Sequence, residues 1–474
     1  MRAFTRFAGL AAAGAFGAVT GIAHASSPGA SSTSKPVAAA VARKAPPIHR
    51  IEADLLIPGR GAPVRDGVVV FADDGTIAYA GPRANAPASP ASATVKRCHT
   101  VMPGMWDCHV HFIGFPDAPK GDMIDAIVKL PATERAARCV KHCELALNAG
   151  FTSVREVGGM GASLKPLIEE GQVPGPSIYY AGDILSTTGG HGDIHSWPLT
   201  CIHALTLGGN ASLGLSCLCD GVPECLKAVR KQLRTNASHI KICASGGVMS
   251  EVDDCMHQQF SPEELKAIVD EAARAERIVA AHCHGAAGIE AALDAGCKTI
   301  EHGSFLTDEL AKRMAATEGA VLVPTRWIIE ELVGFAKGRD GKTRPPGLAE
   351  HAFRKGCLVY DRHGEALRSA VRHGVTIALG TDMFLSRCWG RNGEEAKYLV
   401  EVGGMTPLEA ITAATANGPL TLGPQAPRSG QLKAGFDGDV IALASSPLED
   451  IGVLGRPDDV VLVVKGGAIV KDTL

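Results

Sequence analysis

His109 and His111, two residues apart in the run Met105-Trp106-Asp107-Cys108-His109-Val110-His111-Phe112, are the side chains best placed to do chemistry. The run reads as a short β-strand. Side chains alternate faces along a strand, so both imidazoles point the same way and can grip one metal ion. Neutral imidazole suits zinc and its neighbours in the transition series. A bare His-x-His also fits two histidines on a polar strand face. Asp107, the apolar lead-in from Val101 to Met105 and further metal-competent groups downstream favour the metal. Those groups are Lys241, His282, His302 and Asp382, each within or at the end of a strand-like run. Taken singly, Lys241 could be a snorkelling lysine, His302 a satisfied core histidine and Asp382 a helix cap. Six such groups at strand ends are better explained by one site.

Lys241 alternates with apolar residues in His239-Ile240-Lys241-Ile242-Cys243 and should face a polar interior, where a bare ammonium would repel metal ions. A neutral amine can instead add CO2 and become a carbamate, an anionic ligand able to bridge two metals. Two ions ~3.5–4 Å apart are one standard catalytic arrangement, and water shared by them ionises near neutral pH. The chemistry implied is hydrolysis by a metal-bridged hydroxide.

The elements that must position these groups alternate between strand-like and helix-like runs. The strands expected are Met105-His111, Thr152-Glu156, Ile178-Ala181, His239-Cys243, Val279-His282, Thr299-His302, Val321-Pro324 and Thr376-Asp382. Glu134-Asn148 keeps apolar residues at helical spacing, and Ser261-Pro262-Glu263-Glu264 reads as an N-cap followed by Pro at the first helical position. Eight strands with intervening helices predict a (β/α)8 TIM-like barrel over 104–429, with its site at the C-terminal strand ends. A doubly wound open sheet would need a Gly-rich phosphate loop after an early strand, and none is convincing. Short alternating runs at Ile51-Ile57, Gly67-Phe71 and Thr76-Ala80 are matched at the far end by Asp439-Leu443, Val460-Lys465 and Ala468-Lys471. Neither end can make a self-sufficient sheet, so one small β-sandwich, 49–103 plus 430–474, is expected from both.

Composition sets the compartment and the partners. The 474 residues are 46% hydrophobic and 20% charged with a net charge of -3, which offers no basic surface for nucleic acid or anionic lipid. Arg2 and Arg6, the apolar stretch Phe7 to Ala23 and the small-x-small site Ala23-His24-Ala25 read as a signal peptide over 1–25. An Ala-, Ser- and Pro-rich linker, expected to be disordered, follows over 26–48. Secretion, with the periplasm as first compartment, and no membrane contact after cleavage are expected. A homo-oligomer is expected too. In an oxidising compartment some of the 14 cysteines can pair, and Cys201, Cys217, Cys219 and Cys225 mark a loop that a disulfide would pin. Cys108, Cys243 and Cys283 lie in strands and read as small buried hydrophobes.

With these residues assembled, the chain resembles the metal-dependent amidohydrolase superfamily, and within it the imidodipeptidase and ochratoxinase-like branch. Besides Asp107-x-His109-x-His111, the likeness rests on Gly189-Gly190-His191-Gly192-Asp193, on Ile240 through Ser250, on Ala281-His282-Cys283-His284-Gly285, on Gly296 through His302, and on Ala378-Leu379-Gly380-Thr381-Asp382. It extends through Gly404-Met405-Thr406-Pro407 to Pro447-Leu448-Glu449-Asp450-Ile451. The resemblance implies two zinc ions per chain, His109, His111 and Asp382 holding one and His282 and His302 the other, with carboxylated Lys241 between them. Departures lie in the Ser196-Cys225 loop and in Arg387-Cys388-Trp389-Gly390, both expected to border the substrate.

In this reading Asp382 takes a proton and delivers it to the leaving nitrogen. His191, in its Gly-flanked loop, donates to the oxyanion or to a substrate carboxylate. Arg326, just past the seventh strand, is the sequence candidate for binding that carboxylate, since a guanidinium does so bidentately. Val248 completes the expected substrate contacts, and Arg155 is read as structural. The function expected is release of a C-terminal amino acid from an N-acyl amino acid or dipeptide, ochratoxin-type amides of phenylalanine included. A Xaa-Pro or Xaa-Arg dipeptidase and a cyclic-amide hydrolase or deaminase are the alternatives. An inactive metal-binding protein is a third, which the complete ligand set argues against.

Overall fold

A computed structural model describes residues 48–474 except 89–91, 117–128, 201, 203–215, 335–342 and 345–347. The expected signal peptide and nearly all of the linker lie outside the described residues.

Both chain ends build one seven-stranded sheet. β1 (Arg50–Leu56) pairs antiparallel with β2 (Val64–Phe71), which continues to β3 (Ile77–Pro82). On its other side β1 lies parallel to β4 (Val95–Pro103). From the far end of the chain come β14 (Val440–Leu443), β15 (Val460–Lys465) and β16 (Ala468–Asp472), and β14 pairs antiparallel with β4. The sheet curls over its own core of Ile51, Leu56, Val69, Val101, Val440 and Leu462. Thr76, immediately before the edge strand β3, bridges Asp437 just ahead of β14. β4 is a strand the sequence did not announce: its first half alternates with charged and polar residues, and its second half had read as the lead-in to the next strand. At Gly104 the chain passes straight from this sheet into the barrel. A Cβ there would stand 2.2 Å from the Thr152 hydroxyl, so only glycine allows the crossing.

The barrel begins with β5 (Met105–Val110), β6 (Phe151–Glu156) and β7 (Ser177–Tyr180), all parallel. β7 breaks at Gly182, in left-handed conformation, and resumes as β8 (Ile184–Ser186). There the Gln232 side chain accepts from the Asp183 N–H, satisfying backbone that the break exposes. β8 carries β9 (Ser216–Leu218) on one side and β10 (Ile240–Cys243) on the other. β11 (Val279–Cys283), β12 (Thr299–His302) and β13 (Val321–Val323) follow in order. The expected eighth strand is present as isolated parallel bridges, Ile377 to Leu322 and Met383 to Val110, which join β13 back to β5. Every residue of β5, β6, β10, β11 and β12 is buried, as strands covered on both faces must be.

Helices cover the outside. Pro262–Ala273 starts with the expected cap: the Ser261 hydroxyl accepts from the Glu264 N–H, while the Glu264 carboxylate accepts from the Ser261 N–H. Ala132–Asn148 fills the other stretch read as helical. Among the described residues no disulfide forms; the sulfurs of Cys219 and Cys225 stand 3.9 Å apart, in hydrogen-bond contact and unbonded. Cys201 lies outside the described residues. No described helix is long and apolar enough to cross a membrane.

Candidate metal centre

The C-terminal ends of the staves converge. β5 brings His109 and His111, with ring centres 5.3 Å apart; β12 brings His302, 5.0 Å from His109; β11 brings His282, 4.6 Å from His302. Asp382 places Oδ1 3.2 Å from His111 Nε2 and 3.6 Å from His109 Nε2. Lys241 arrives from β10 in the wall of the same cavity. All six groups singled out in the sequence therefore meet in space. His302 and Asp382 reach this arrangement with φ of 69° and 57°, a conformation non-glycine residues adopt at a cost and keep at sites that need it.

Each imidazole is held by one nitrogen so that the other is available. His109 Nδ1 donates to Glu301 at 2.8 Å, His111 Nδ1 to the Gly158 carbonyl at 2.7 Å, and His302 Nδ1 bonds the Thr325 hydroxyl at 2.7 Å. Each leaves Nε2 for the centre. His282 is held the other way round, by Nε2 to the Gly246 carbonyl at 3.2 Å, leaving Nδ1. Burial, with the Lys241 charge second, pushes the His109 pKa down to about 4, and burial does the same more strongly to His282 and His302. Neutral imidazole is the metal-ligating form. Burial opposes ionisation of Asp382, but His109 and His111 beside it hold its carboxyl well below the usual range.

Lys241 tests whether these residues fit metal ions. Its Nζ is buried and has no hydrogen-bond partner among the described residues. An isolated buried ammonium is costly, and burial lowers its pKa, favouring the neutral amine. That amine is the form which adds CO2. His109, His302 and Asp382 form one group whose ligand atoms lie within 4.8 Å of one another, and His282, His284 and His302 form a second. The two groups share His302, and each offers a donor set that fits a metal ion.

Several members of the site escaped the sequence reading. Glu301 is fully buried; it accepts from Arg155 at 2.6 and 2.7 Å and from the Thr299 hydroxyl at 2.6 Å, and it holds His109. Burial works against its charge, yet Arg155 and His109 hold its carboxyl below the usual range. Arg155 is thus structural, as expected, and it holds Glu301 beneath His109. Glu301→Gln should weaken metal binding about 10- to 100-fold, the usual cost of losing a partner behind a ligating histidine. Metal titration of the apoprotein measures this, and wild-type affinity in the variant would remove Glu301 from the site. His284, also missed, bonds the Ser304 hydroxyl at 2.7 Å and stacks 4.8 Å from His302. The signal was present, since His282-Cys283-His284 repeats the His-x-His spacing of β5.

Two cavities meet at the centre. His191 and Asp382 line both, and Val248 lines the inner one. The His191 ring stacks 4.3 Å over His282, and its Nδ1 bonds the Ser250 hydroxyl at 2.9 Å. Ser196 and Ser216 bring the Ser196–Cys225 loop to the outer cavity, as expected. Arg326 is a correction: it lines neither cavity, is buried, pairs with Glu330 at 2.6 Å and stacks 4.1 Å over Tyr360. Arg387-Cys388-Trp389-Gly390 also lines neither, since Arg387 pairs with Glu331 and Trp389 stacks on Phe112.

Known proteins are similar to this chain in sequence and fold. The sequence profile of the amidohydrolase family matches residues 100–470. Ochratoxinase of Aspergillus niger is 44% identical over 432 residues, covering 89% of this chain and 86% of that protein. Its crystal structure superposes with a TM-score of 0.80 at 43% identity, covering 90% of this chain and 95% of that one. A Xaa-Pro dipeptidase with methionine bound in its active site gives a TM-score of 0.77 at 30% identity, over 89% of this chain and 99% of that one. A prolidase complexed with N-methylphosphonate-L-proline gives 0.76 at 30% identity, over 90% and 99%.

Proposed function

This chain belongs to the amidohydrolase family and is an amide-hydrolysing enzyme, and we propose that it cleaves N-acyl amino acids or dipeptides that keep a free C-terminal carboxylate, using two zinc ions. The observation that carries the reading is the unpartnered Lys241 amine at the centre of four histidines and Asp382. As a carbamate it would bridge the ions, one held by His109, His111 and Asp382 and the other by His282 and His302. When bound, the ions supply Lewis acidity and a nucleophile at neutral pH.

The remaining steps belong to the chain's own residues. Asp382, with a second carboxylate oxygen to spare, takes a proton from the attacking water and passes it to the leaving nitrogen. If the Ser250 hydroxyl donates to His191 Nδ1, Nε2 carries the proton and donates to the substrate. Among the described residues, no lysine or arginine other than Lys241 lines either cavity. Of the described residues, His191 and the backbone around Val248 are the donors placed to bind the substrate carboxylate, and Arg326 is not among them. Ile113, Phe115, Met249 and Phe384 in the outer cavity, with Ile328 and Leu332 in the inner one, suit apolar groups on both sides of the amide. The ochratoxinase relative supports including phenylalanine amides, and the Xaa-Pro dipeptidase and prolidase relatives support an imidodipeptidase as second reading. A one-metal deaminase or cyclic-amide hydrolase has no use for a bridging carbamate. Export to the periplasm follows from Arg2, Arg6 and the apolar stretch Phe7 to Ala23, with Ser26 the expected first residue of the mature chain.

A screen of N-acyl amino acids and dipeptides with the zinc-loaded enzyme, following amine release, tests the function. Replacing the carboxylate of the best substrate by an amide should lower kcat/KM about ten- to a hundredfold, the worth of a hydrogen bond to a charged group. Equal turnover of acid and amide would assign an endo-acting or cyclic-amide hydrolase instead.

A further inference from the structure

Behind the wall of the two cavities lies a buried lysine with no part in the chemistry above. Lys355 sits in the helix Glu350–Arg372 and is 7% exposed. Its Nζ donates to the Ser250 carbonyl at 2.5 Å and the Asp253 carbonyl at 3.0 Å, with the Asp253 carboxylate at 3.6 Å. One turn earlier in the helix, His351 bonds the Met249 carbonyl through Nε2 at 3.1 Å. A single helix face thus gathers three carbonyls of the 247–253 loop, the same loop that presents Val248, Met249 and Ser250 to the cavities.

That loop holds His191 by its ring and, through a glutamine, by its backbone. Ser250 bonds the imidazole Nδ1 at 2.9 Å. Asp253 accepts from the Gly247 N–H at 2.7 Å and from the Gln259 amide at 3.5 Å, and Gln259 in turn accepts from the His191 N–H at 3.2 Å. Gly247 lies flat against the imidazole: a Cβ there would stand 2.1 Å from its Nδ1. His282 stacks 4.3 Å away on the ring. The ring's orientation is therefore set by a loop whose own position is set from the helix by Lys355. Burying an ammonium costs more than burying a methionine of similar length, and such polar anchors are kept where they fix one conformation.

We infer that Lys355 is a positioning residue for His191, acting through the 247–253 loop. The inference rests on the proposed role of His191 in contacting substrate. It assigns to Lys355 an effect on substrate turnover without contact to substrate or metal.

The test compares wild type, Lys355→Met, His191→Asn and the double variant as zinc-loaded full-length chains, with Lys355→Gln as a second substitution should the methionine variant fail to fold. Lys355→Met should lower kcat/KM on the best amide substrate about ten- to a hundredfold, matching the loss of charge-assisted hydrogen bonds, with bound zinc unchanged. The double variant should lose no more than the larger single loss, because both changes remove one unit. Amide hydrogen exchange should speed up at 247–253 and stay slow in β10 and β11. Losses that multiply in the double variant, or wild-type kcat/KM in the Lys355 variants, would overturn the inference. If the wild type cleaves none of the N-acyl amino acids or dipeptides, the functional reading fails. Hydrogen exchange then still decides the clamp, and unaltered protection at 247–253 would overturn it.

Discussion

Lys241→Ala is expected to lose most of its bound metal and nearly all activity, while the metal-free protein stays folded. The two halves of that result have different causes. In the apoprotein the wild-type amine is buried without a hydrogen-bond partner, so its removal discards a group that costs stability. The small cavity left by the side chain works in the opposite direction, and the apoprotein should unfold at nearly the same temperature. With zinc present the variant lacks the anionic bridge, so the stabilisation that ligand binding gives the wild type should largely vanish. A short carboxylic acid added in solution can occupy the space and supply two oxygens, and partial recovery of activity is expected. Metal analysis, thermal unfolding with and without zinc, and rescue assays measure the three parts. Full activity with two metals per chain in Lys241→Ala would sink the bridging role.

The six groups that meet at the centre were legible in the sequence because each is announced locally. His109 and His111 stand two apart on a strand, Lys241 alternates with apolar neighbours, and His282, His302 and Asp382 each close a strand-like run. Barrel topology then brings strand ends together whatever their separation. What was not legible is what holds the ligands. Arg155 and Glu301 are 146 residues apart, and nothing near either announces the pair beneath His109. Lys355 and Ser250 are 105 apart, and a lysine in an amphipathic helix reads as solvated until its face is known. Arg326 went the other way, from expected site to structural pair. Thr325 before it takes φ of 54°, which starts a helical turn at 326 and sends the guanidinium to Glu330 four residues on. That i,i+4 pair was written in the sequence.

Asp382→Asn should lower kcat by ~10²-fold or more, the size expected when general acid–base catalysis is lost. Asparagine is the informative replacement because of the backbone. Asp382 has φ of 57°, and its N–H donates to the His109 carbonyl at 2.8 Å, one of the bonds that tie the last stave to β5. Asparagine tolerates the left-handed region as readily as aspartate, so the turn and that bond survive, whereas alanine would add strain. Below it, Asp107 accepts from the Thr381 N–H and hydroxyl and from Asn392, fixing the same stave independently of residue 382. The unfolding temperature should therefore stay close to wild type. One carbonyl oxygen remains to face His109 and His111, so metal binding should weaken less than in Lys241→Ala. What the amide lacks is the second oxygen with its negative charge, the group that takes the proton and returns it to the leaving nitrogen. Substrates whose leaving amine is most basic need that proton most, so their turnover should fall furthest. Wild-type kcat in Asp382→Asn, or a loss equal for all leaving groups and matched by loss of zinc, would leave Asp382 as a ligand and remove it from proton transfer.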